Sequence, residues 1–209
     1  SERSAFAGKG PLLLALPVSR RSEVTRLAPV FGAVIARLKA RHPDLRVALP
    51  TVRGVADLVR ELTAGWAVEP EIIQDPARKR GAFAAADVAL AASGTVSLEL
   101  AANGCPMVIA YDMHWFSWWL MQRAALIDTV TLVNLVSDSR VVPEFLGPAC
   151  KPDAIAPAIE ALLADPSLQR QAMALTMERL GKGGEAPGLR AARSVLTALR
   201  RSRLPGPAA

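Results

Sequence analysis

One short stretch of this sequence combines residue types that bind an anion. Ser19 and Arg20 lie between an apolar run and a predicted helix, which Ser22 could cap. The free N–H groups of a helix N-terminus attract negative charge, and a guanidinium adds paired hydrogen bonds to a phosphate. We interpret this turn as a candidate phosphate site. A plain helix cap with solvated arginines is the alternative that these residues leave open.

A second candidate is the turn Ser93-Gly94-Thr95, followed four residues later by Glu99. Gly94 would let a ligand approach the backbone closely, and Thr95 could cap the helix that follows. Such a turn can hold a pyrophosphate. Glu99 would lie one helical turn further along the same face, where its carboxylate could accept from two ribose hydroxyls. An ordinary capped helix with a solvated glutamate would explain the same residues.

Asn134 and Glu144 form a third and weaker candidate. The amide of Asn134, after a predicted strand, could contact a base or a ribose, although asparagine is also common in turns for local reasons. Glu144 could cap the next helix. A separate cluster, Trp115, Trp118 and Trp119, is either half core and half domain interface or a patch that touches lipid or a partner, since tryptophan suits membrane–water boundaries.

Alternating apolar segments must position these turns. Short, wholly apolar runs predict six strands, and helical spacing of apolar residues predicts a helix after each of the first five. Three more helices are predicted at the C-terminus. This alternation is typical of a Rossmann-like, doubly wound parallel sheet with a helical C-terminal segment, an α/β fold. The predicted strands are 12–16, 46–49, 70–74, 88–92, 107–111 and 129–132, and the helices are 22–41, 55–62, 79–86, 95–103, 115–125, 153–163, 166–180 and 189–201.

The composition narrows the class of protein. The chain has 209 residues, 51% hydrophobic and 21% charged, which suits one large folded domain over 1–203 and excludes disorder. Residues 204–209 are rich in proline, glycine and alanine, and we predict that they form a flexible tail. The net charge of +6 suits an anionic partner, but scattered charges argue against nucleic acid. Two cysteines and two distant histidines predict no disulfide framework and no zinc site, and no apolar run is long enough to span a membrane.

The motifs also occur in a recognisable order. They are Pro17-Val18-Ser19-Arg20, Ala92-Ser93-Gly94-Thr95 with Leu98-Glu99, Gly104-Cys105-Pro106, Leu132-Val133-Asn134-Leu135 and Val142-Pro143-Glu144. Together they resemble the C-terminal half of the lipid-A-disaccharide synthases, inverting glycosyltransferases of the GT-B type. The resemblance runs from about Pro11 to Leu199, and the whole ordered set is far more specific than any one motif.

The resemblance implies one half of a GT-B fold and a reaction in lipid A biosynthesis of Gram-negative bacteria. Family members transfer 2,3-diacylglucosamine from its UDP donor to a lipid X-type acceptor, 2,3-diacylglucosamine 1-phosphate, through a β-1,6 bond. They work in the cytoplasm, peripheral to the inner membrane, and they can form homodimers. The resemblance implies no cofactor and no metal. It implies donor contacts from Ser19, Arg20, Ser93, Gly94, Thr95, Glu99, Asn134 and Glu144, with Arg20 stabilising the leaving group.

Three departures from the family pattern stand out. Val18 replaces a usual glycine, Asp112 replaces a frequent arginine, and Val133 replaces a common proline. Family members are also about twice this length, and their N-terminal domain carries the acceptor site and the general base. We therefore expect this chain to be a donor half that cannot turn over alone. The alternatives are another GT-B enzyme that uses a UDP-GlcNAc-type donor, and a non-catalytic nucleotide-binding or membrane-associated module.

Overall fold

Six parallel strands form one sheet in the order β3-β2-β1-β4-β5-β6. The computed structural model describes residues 6–17, 21–92, 95–112, 128–184 and 187–202. The strands are β1 (Leu12–Leu16), β2 (Arg46–Pro50), β3 (Glu71–Ile73), β4 (Val88–Ala91), β5 (Met107–Tyr111) and β6 (Glu144–Leu146). This strand order is the Rossmann order, so the predicted fold class is confirmed.

Helices cover both faces of the sheet. Among the described residues they are α1 (Arg21–Arg41), α2 (Ala56–Thr63), α3 (Pro76–Ala85), α4 (Val96–Ala102), α5 (Leu132–Ser137), α6 (Pro152–Ala164), α7 (Ser167–Arg179) and α8 (Pro187–Ser202). Strand boundaries for β1 and β5 agree with the sequence prediction to the residue. The predicted helix 115–125 and the predicted tail 204–209 lie outside the described residues.

The strands read as continuous apolar runs because both of their faces are buried. In β1, Leu13 and Ala15 face one core cluster with α1 and α6, whereas Leu12 and Leu14 face a second cluster with α3, α4 and α7. All five residues of β1 are buried. A strand that is covered on both sides has no reason to alternate polar and apolar residues. Polar side chains that could bind a ligand are therefore expected at the ends of the strands rather than along them.

The sixth predicted strand was wrong. Residues 129–131 are not a strand, and α5 begins at Leu132. The real sixth strand is Glu144–Leu146, which pairs with β5. Three consecutive β-branched residues at 129–131 favour a strand by propensity, but tertiary context overrides such preferences. Here the backbone N–H groups of Val130 and Thr131 bond to the Glu144 carboxylate.

A proline inside a helix usually kinks the helix or ends it. Instead α1 runs as one helix through Pro29, which is exposed. Its buried face consists of Val24, Leu27, Ala28, Phe31, Val34, Ile35 and Leu38. Burial of this long apolar face stabilises the fold by far more than the roughly 3 kcal/mol that an interior proline costs. Helix α1 is thus held by packing from its first turn, which places its N-terminus firmly beside the end of β1.

Candidate functional site

The ends of β1 and β4 meet at the point where the sheet order reverses. The two strands pair in parallel, with Leu16 opposite Ala91, and the Ala92 N–H donates to the Leu16 carbonyl at 3.0 Å. The chain leaves β1 toward β2 and leaves β4 toward β5, on opposite sides. In an open α/β sheet such a divergence opens a crevice at the carboxyl ends, and ligands bind there.

Both predicted phosphate turns follow these two strand ends directly. Pro17 and Ala92 are the last described residues of each strand end, and both are buried. Ser19, Arg20, Ser93 and Gly94 lie outside the described residues, as does Val18. The topology therefore brings the two predicted motifs, which are about seventy residues apart in the chain, to adjoining strands of one sheet.

A hydrogen bond crosses the sheet beside this crevice. The Tyr111 hydroxyl, at the end of β5, donates to Glu23 Oε1 in the first turn of α1 at 2.9 Å. Because β4 lies between β1 and β5, this bond links the elements on either side of the β4 end. The bond connects the N-terminal turn of α1 to the carboxyl end of β5. Sequence reasoning missed this pair, since 88 residues separate its members and no local pattern marks them.

Thr95 lies at the N-cap of α4, as predicted, but its side chain makes no capping hydrogen bond. The expectation that its hydroxyl caps the helix was therefore wrong. The physical reason is its backbone, which is helical at φ −63° and ψ −18°, whereas a capping side chain needs an extended residue. Thr95 is exposed. The N-terminal N–H groups of α4 are thus not occupied by the Thr95 hydroxyl.

Glu99 is held by a lysine that the sequence analysis did not consider. Lys79 Nζ of α3 lies 2.8 Å from Glu99 Oε1 and 3.0 Å from Oε2, so it spans both carboxylate oxygens. The two side chains are 40% and 45% exposed. A half-exposed pair of this kind contributes only about 0–1 kcal/mol. A ribose could therefore exchange with or join Lys79 at small cost.

Asn134 is buried in α5 and its amide is fully engaged within the fold. It is 1% exposed. Its Oδ1 accepts from the Val142 N–H at 2.9 Å, and its Nδ2 donates to the Val142 carbonyl at 2.9 Å. Nδ2 also lies 3.3 Å from Thr129 Oγ1 and 3.4 Å from Glu144 Oε1. The amide thus pairs with the Val142 backbone much as a neighbouring strand would.

The Glu144 carboxylate accepts hydrogen bonds from the segment just before α5. Its Oε1 accepts from the Thr129 hydroxyl at 2.5 Å and from the Thr131 N–H at 2.8 Å, and both oxygens lie 3.2 Å from the Val130 nitrogen. The sequence analysis expected Glu144 to cap the next helix. The structure instead directs its carboxylate to the segment that precedes α5. Glu144 and Asn134 belong to one connected polar cluster that joins α5 to β6.

Asp112 follows Tyr111 at the end of β5, where the family pattern often has arginine. It is half-buried. Burial, with a smaller contribution from the Asp112 charge, raises the pKa of the Cys150 thiol to about 12.

Among the described residues no group of three or more histidine, cysteine or acidic side chains could hold a metal ion. In the same residues no helix is long and apolar enough to cross a membrane.

Comparisons with known proteins identify the family. Residues 3–194 match the lipid-A-disaccharide synthetase family. The chain belongs to the lipid-A-disaccharide synthase family. A lipid-A-disaccharide synthase of Ruegeria pomeroyi is 58% identical over 207 residues, which cover 95% of this chain and 50% of that protein. The chain spans about half the length of the curated relatives it matches.

Solved structures share the fold of this synthase-family chain. The calicheamicin glycosyltransferase CalG4 gives a TM-score of 0.59 at 20% identity, over 94% of this chain and 45% of that one. The UDP-GlcNAc 2-epimerase from Neisseria meningitidis, solved bound to UDP-GlcNAc, gives 0.53 at 14% identity, over 87% and 48%. Matches to a little under half of each solved chain agree with the prediction of one half of a GT-B fold.

The tryptophans Trp115, Trp118 and Trp119 lie outside the described residues.

Proposed function

We propose that this chain is the donor-binding half of a lipid-A-disaccharide synthase. The observation that carries the proposal is the pairing of β1 with β4 at the topological switch point, with a family motif following each strand. Membership of the family supports the reaction class. On this proposal the complete enzyme is an inverting glycosyltransferase of lipid A biosynthesis, and the donor is UDP-2,3-diacylglucosamine.

The donor diphosphate would bind between the two phosphate turns. Ser19 and Arg20 would approach it after β1, and Ser93, Gly94 and Thr95 would approach it at the start of α4. Negative charge develops on UDP as the sugar leaves, and preorganised positive groups stabilise that charge. Arg20 would be the main stabiliser, because a guanidinium carries a full charge whereas a helix N-terminus carries about half of one. No metal or cofactor is needed for this step.

Glu99 would accept hydrogen bonds from the ribose hydroxyls. Its partner Lys79 is half exposed, so the carboxylate can reach a ligand without breaking a buried ion pair. Asn134 and Glu144 would support the donor site indirectly, by fixing the backbone between α5 and β6, since their polar atoms already bond within the fold. The family resemblance implies direct donor contact by these two residues, whereas the described contacts support this indirect role.

The rest of the reaction would come from outside these residues. We propose that an N-terminal domain binds the lipid X-type acceptor and supplies the general base. The enzyme would act in the cytoplasm at the inner-membrane surface, because its donor and acceptor both carry acyl chains. Assembly as a homodimer belongs to the same proposal. This chain alone would bind the nucleotide and show no transfer.

Calorimetric titration of UDP into the chain tests the donor site. We expect saturable binding that Arg20→Ala weakens about 10- to 100-fold, since a hydrogen bond to a charged group contributes about 1.5–3 kcal/mol. Glu99→Ala should weaken it about tenfold for the same reason. Arg26→Ala and Glu61→Ala are the matched controls, because both residues are exposed on other helical turns of the domain. Unchanged affinity in both site variants, or no binding by the unaltered chain, would contradict the proposal.

A further inference from the structure

The ammonium group of Lys79 is held in place from two sides. On one side Nζ lies 2.8 Å from Glu99 Oε1 and 3.0 Å from Glu99 Oε2. On the other side it lies over the ring of the buried Phe83, 5.1 Å from the ring centroid. A cation at that distance from the face of an aromatic ring is attracted to it. The head of Lys79 is therefore fixed, although the side chain is still 40% exposed and open to a ligand.

The two helices that carry this pair begin at the same edge of the sheet. Helix α3 follows β3 and helix α4 follows β4, so both start at the carboxyl ends of strands. Lys79 is the fourth residue of α3, and Glu99 is the fourth residue of α4. Phe83 and Leu100 pack in one buried cluster, which keeps the two helices side by side. The ion pair thus lies at the edge where ligands of an open α/β sheet bind.

The position of Glu99 along α4 places Lys79 next to the sugar of a bound nucleotide. Four residues separate Glu99 from Thr95 at the start of the helix, which corresponds to about 6 Å along the axis. On the proposed function the diphosphate binds at the start of α4 and the ribose binds at Glu99. Lys79 already touches both oxygens of the carboxylate that would receive the ribose hydroxyls.

The hydrogen-bonding capacity of the pair fits a ribose hydroxyl. A hydroxyl donates one hydrogen bond and also accepts, a carboxylate only accepts, and an ammonium group has three donors. Two of these donors are sufficient for the two Glu99 oxygens, which leaves the third for another acceptor. We propose that Lys79 determines sugar specificity: it donates to a ribose hydroxyl that itself donates to Glu99. The site would then select a ribonucleotide over a deoxyribonucleotide.

This role of Lys79 deepens the proposed function and rests on it, because it requires the nucleotide to bind with its ribose at Glu99. A plain ion pair between two helices would have a different signature. Half-exposed pairs of that kind contribute little to stability, and they make no distinction between one sugar and another. The relative affinity for ribose and deoxyribose nucleotides therefore separates the two roles.

Calorimetric titrations of UDP, 2′-deoxy-UDP and 3′-deoxy-UDP into the 209-residue chain measure that relative affinity. We expect UDP to bind about 10- to 100-fold more tightly than at least one deoxy analogue, because the analogue leaves polar groups of the site without a partner. Lys79→Met should lower that preference about fivefold or more. Loss of the positive charge should also weaken all three nucleotides alike, so the preference, rather than the affinity, is the measurement that decides.

Arg78→Met is the matched control. Arg78 is the neighbouring residue on α3, its side chain is 53% exposed, and it pairs with Glu71 rather than with Glu99. The variant removes the same charge from the same turn of the helix, so it should leave the preference for UDP unchanged. Lys79→Arg keeps the charge and the donors, and it should keep most of the preference. Circular dichroism and a urea midpoint for each variant identify any folding defect.

The inference is wrong if Lys79→Met keeps the full preference for UDP over both deoxy analogues, or if Arg78→Met lowers the preference equally. It is also wrong if Lys79→Met alters only the preference for UDP over CDP, since the ammonium group would then contact the base. Each of these results leaves the donor site itself intact. Failure of the proposed function would instead appear as no UDP binding by the unaltered chain, which would overturn the role of Lys79 as well.

Discussion

Replacing Asn134 distinguishes a structural role from a ligand-binding role. The residue is 1% exposed, and its amide satisfies both the N–H and the carbonyl of Val142, which is itself 2% exposed. Asn134→Ala would leave both backbone groups buried without their partner. An unsatisfied buried group costs about 1–3 kcal/mol, so we expect the free energy of unfolding to fall by about 2–4 kcal/mol.

Urea denaturation and a thermal melt measure that loss. For a chain of this size each kcal/mol corresponds to about 2–4 °C, so the melting temperature should fall by about 5–15 °C. UDP affinity, measured well below the melting temperature, should change less than threefold if the role is structural, which is under about 1 kcal/mol. The matched control is Asn103→Ala, because Asn103 is exposed and its side-chain amide donates to one backbone group, the Glu99 carbonyl.

The opposite pattern would refute this reasoning. If Asn134→Ala kept its full stability and lost UDP binding, the amide would be contacting the nucleotide, as the sequence first suggested. The bonds to Val142 would then be incidental. If Asn103→Ala proved as damaging as Asn134→Ala, burial would not be the property that decides the cost.

Two further perturbations test the packing. The buried Gln169 amide bonds to the backbone of Met107 and Val141. Gln169→Leu would remove these partners, so we expect the free energy of unfolding, measured in urea, to fall by about 2 kcal/mol. An unchanged urea midpoint would contradict this. Cys105 and Cys150 should resist iodoacetamide at mildly alkaline pH until the chain unfolds, since burial raises the pKa of each thiol from 9.0 to about 12. Unfolded thiols ionise first, so stability should decline as pH rises from about 9 toward 12, and rapid labelling of the folded chain would overturn the assignment.

Local patterns were sufficient to predict most of the sheet. The run Leu12–Leu16 is apolar throughout and ends at Pro17, so its identity as a buried strand depends on nothing distant. The same is true of β5, which Gly104 and Pro106 precede. The doubly wound parallel fold followed from the alternation of strands and helices, because that alternation allows few topologies.

The features that sequence reasoning missed all depend on distant contacts. Strand β6 is three residues long and half-buried, too short to give a pattern, and it exists because it can pair with β5. Lys79 was not linked to Glu99, nor Tyr111 to Glu23, because each pair joins two elements that only the tertiary fold brings together. Asn134 was predicted to contact a base or a ribose, with a local role in a turn as the alternative, because one sequence cannot show that its amide would be buried.

The pairing of β1 with β4 also makes the candidate site a joint between two halves of the fold. One half contains β1, β2 and β3, the other contains β4, β5 and β6, and the two turns that would hold the donor come from different halves. A nucleotide bound there has affinity only for a chain in which both halves are folded and paired. At a hundred times its dissociation constant such a ligand adds about 2.7 kcal/mol to global stability. Occupancy by donor would thus couple the folding of the two halves more tightly and strengthen the cooperativity of the whole domain.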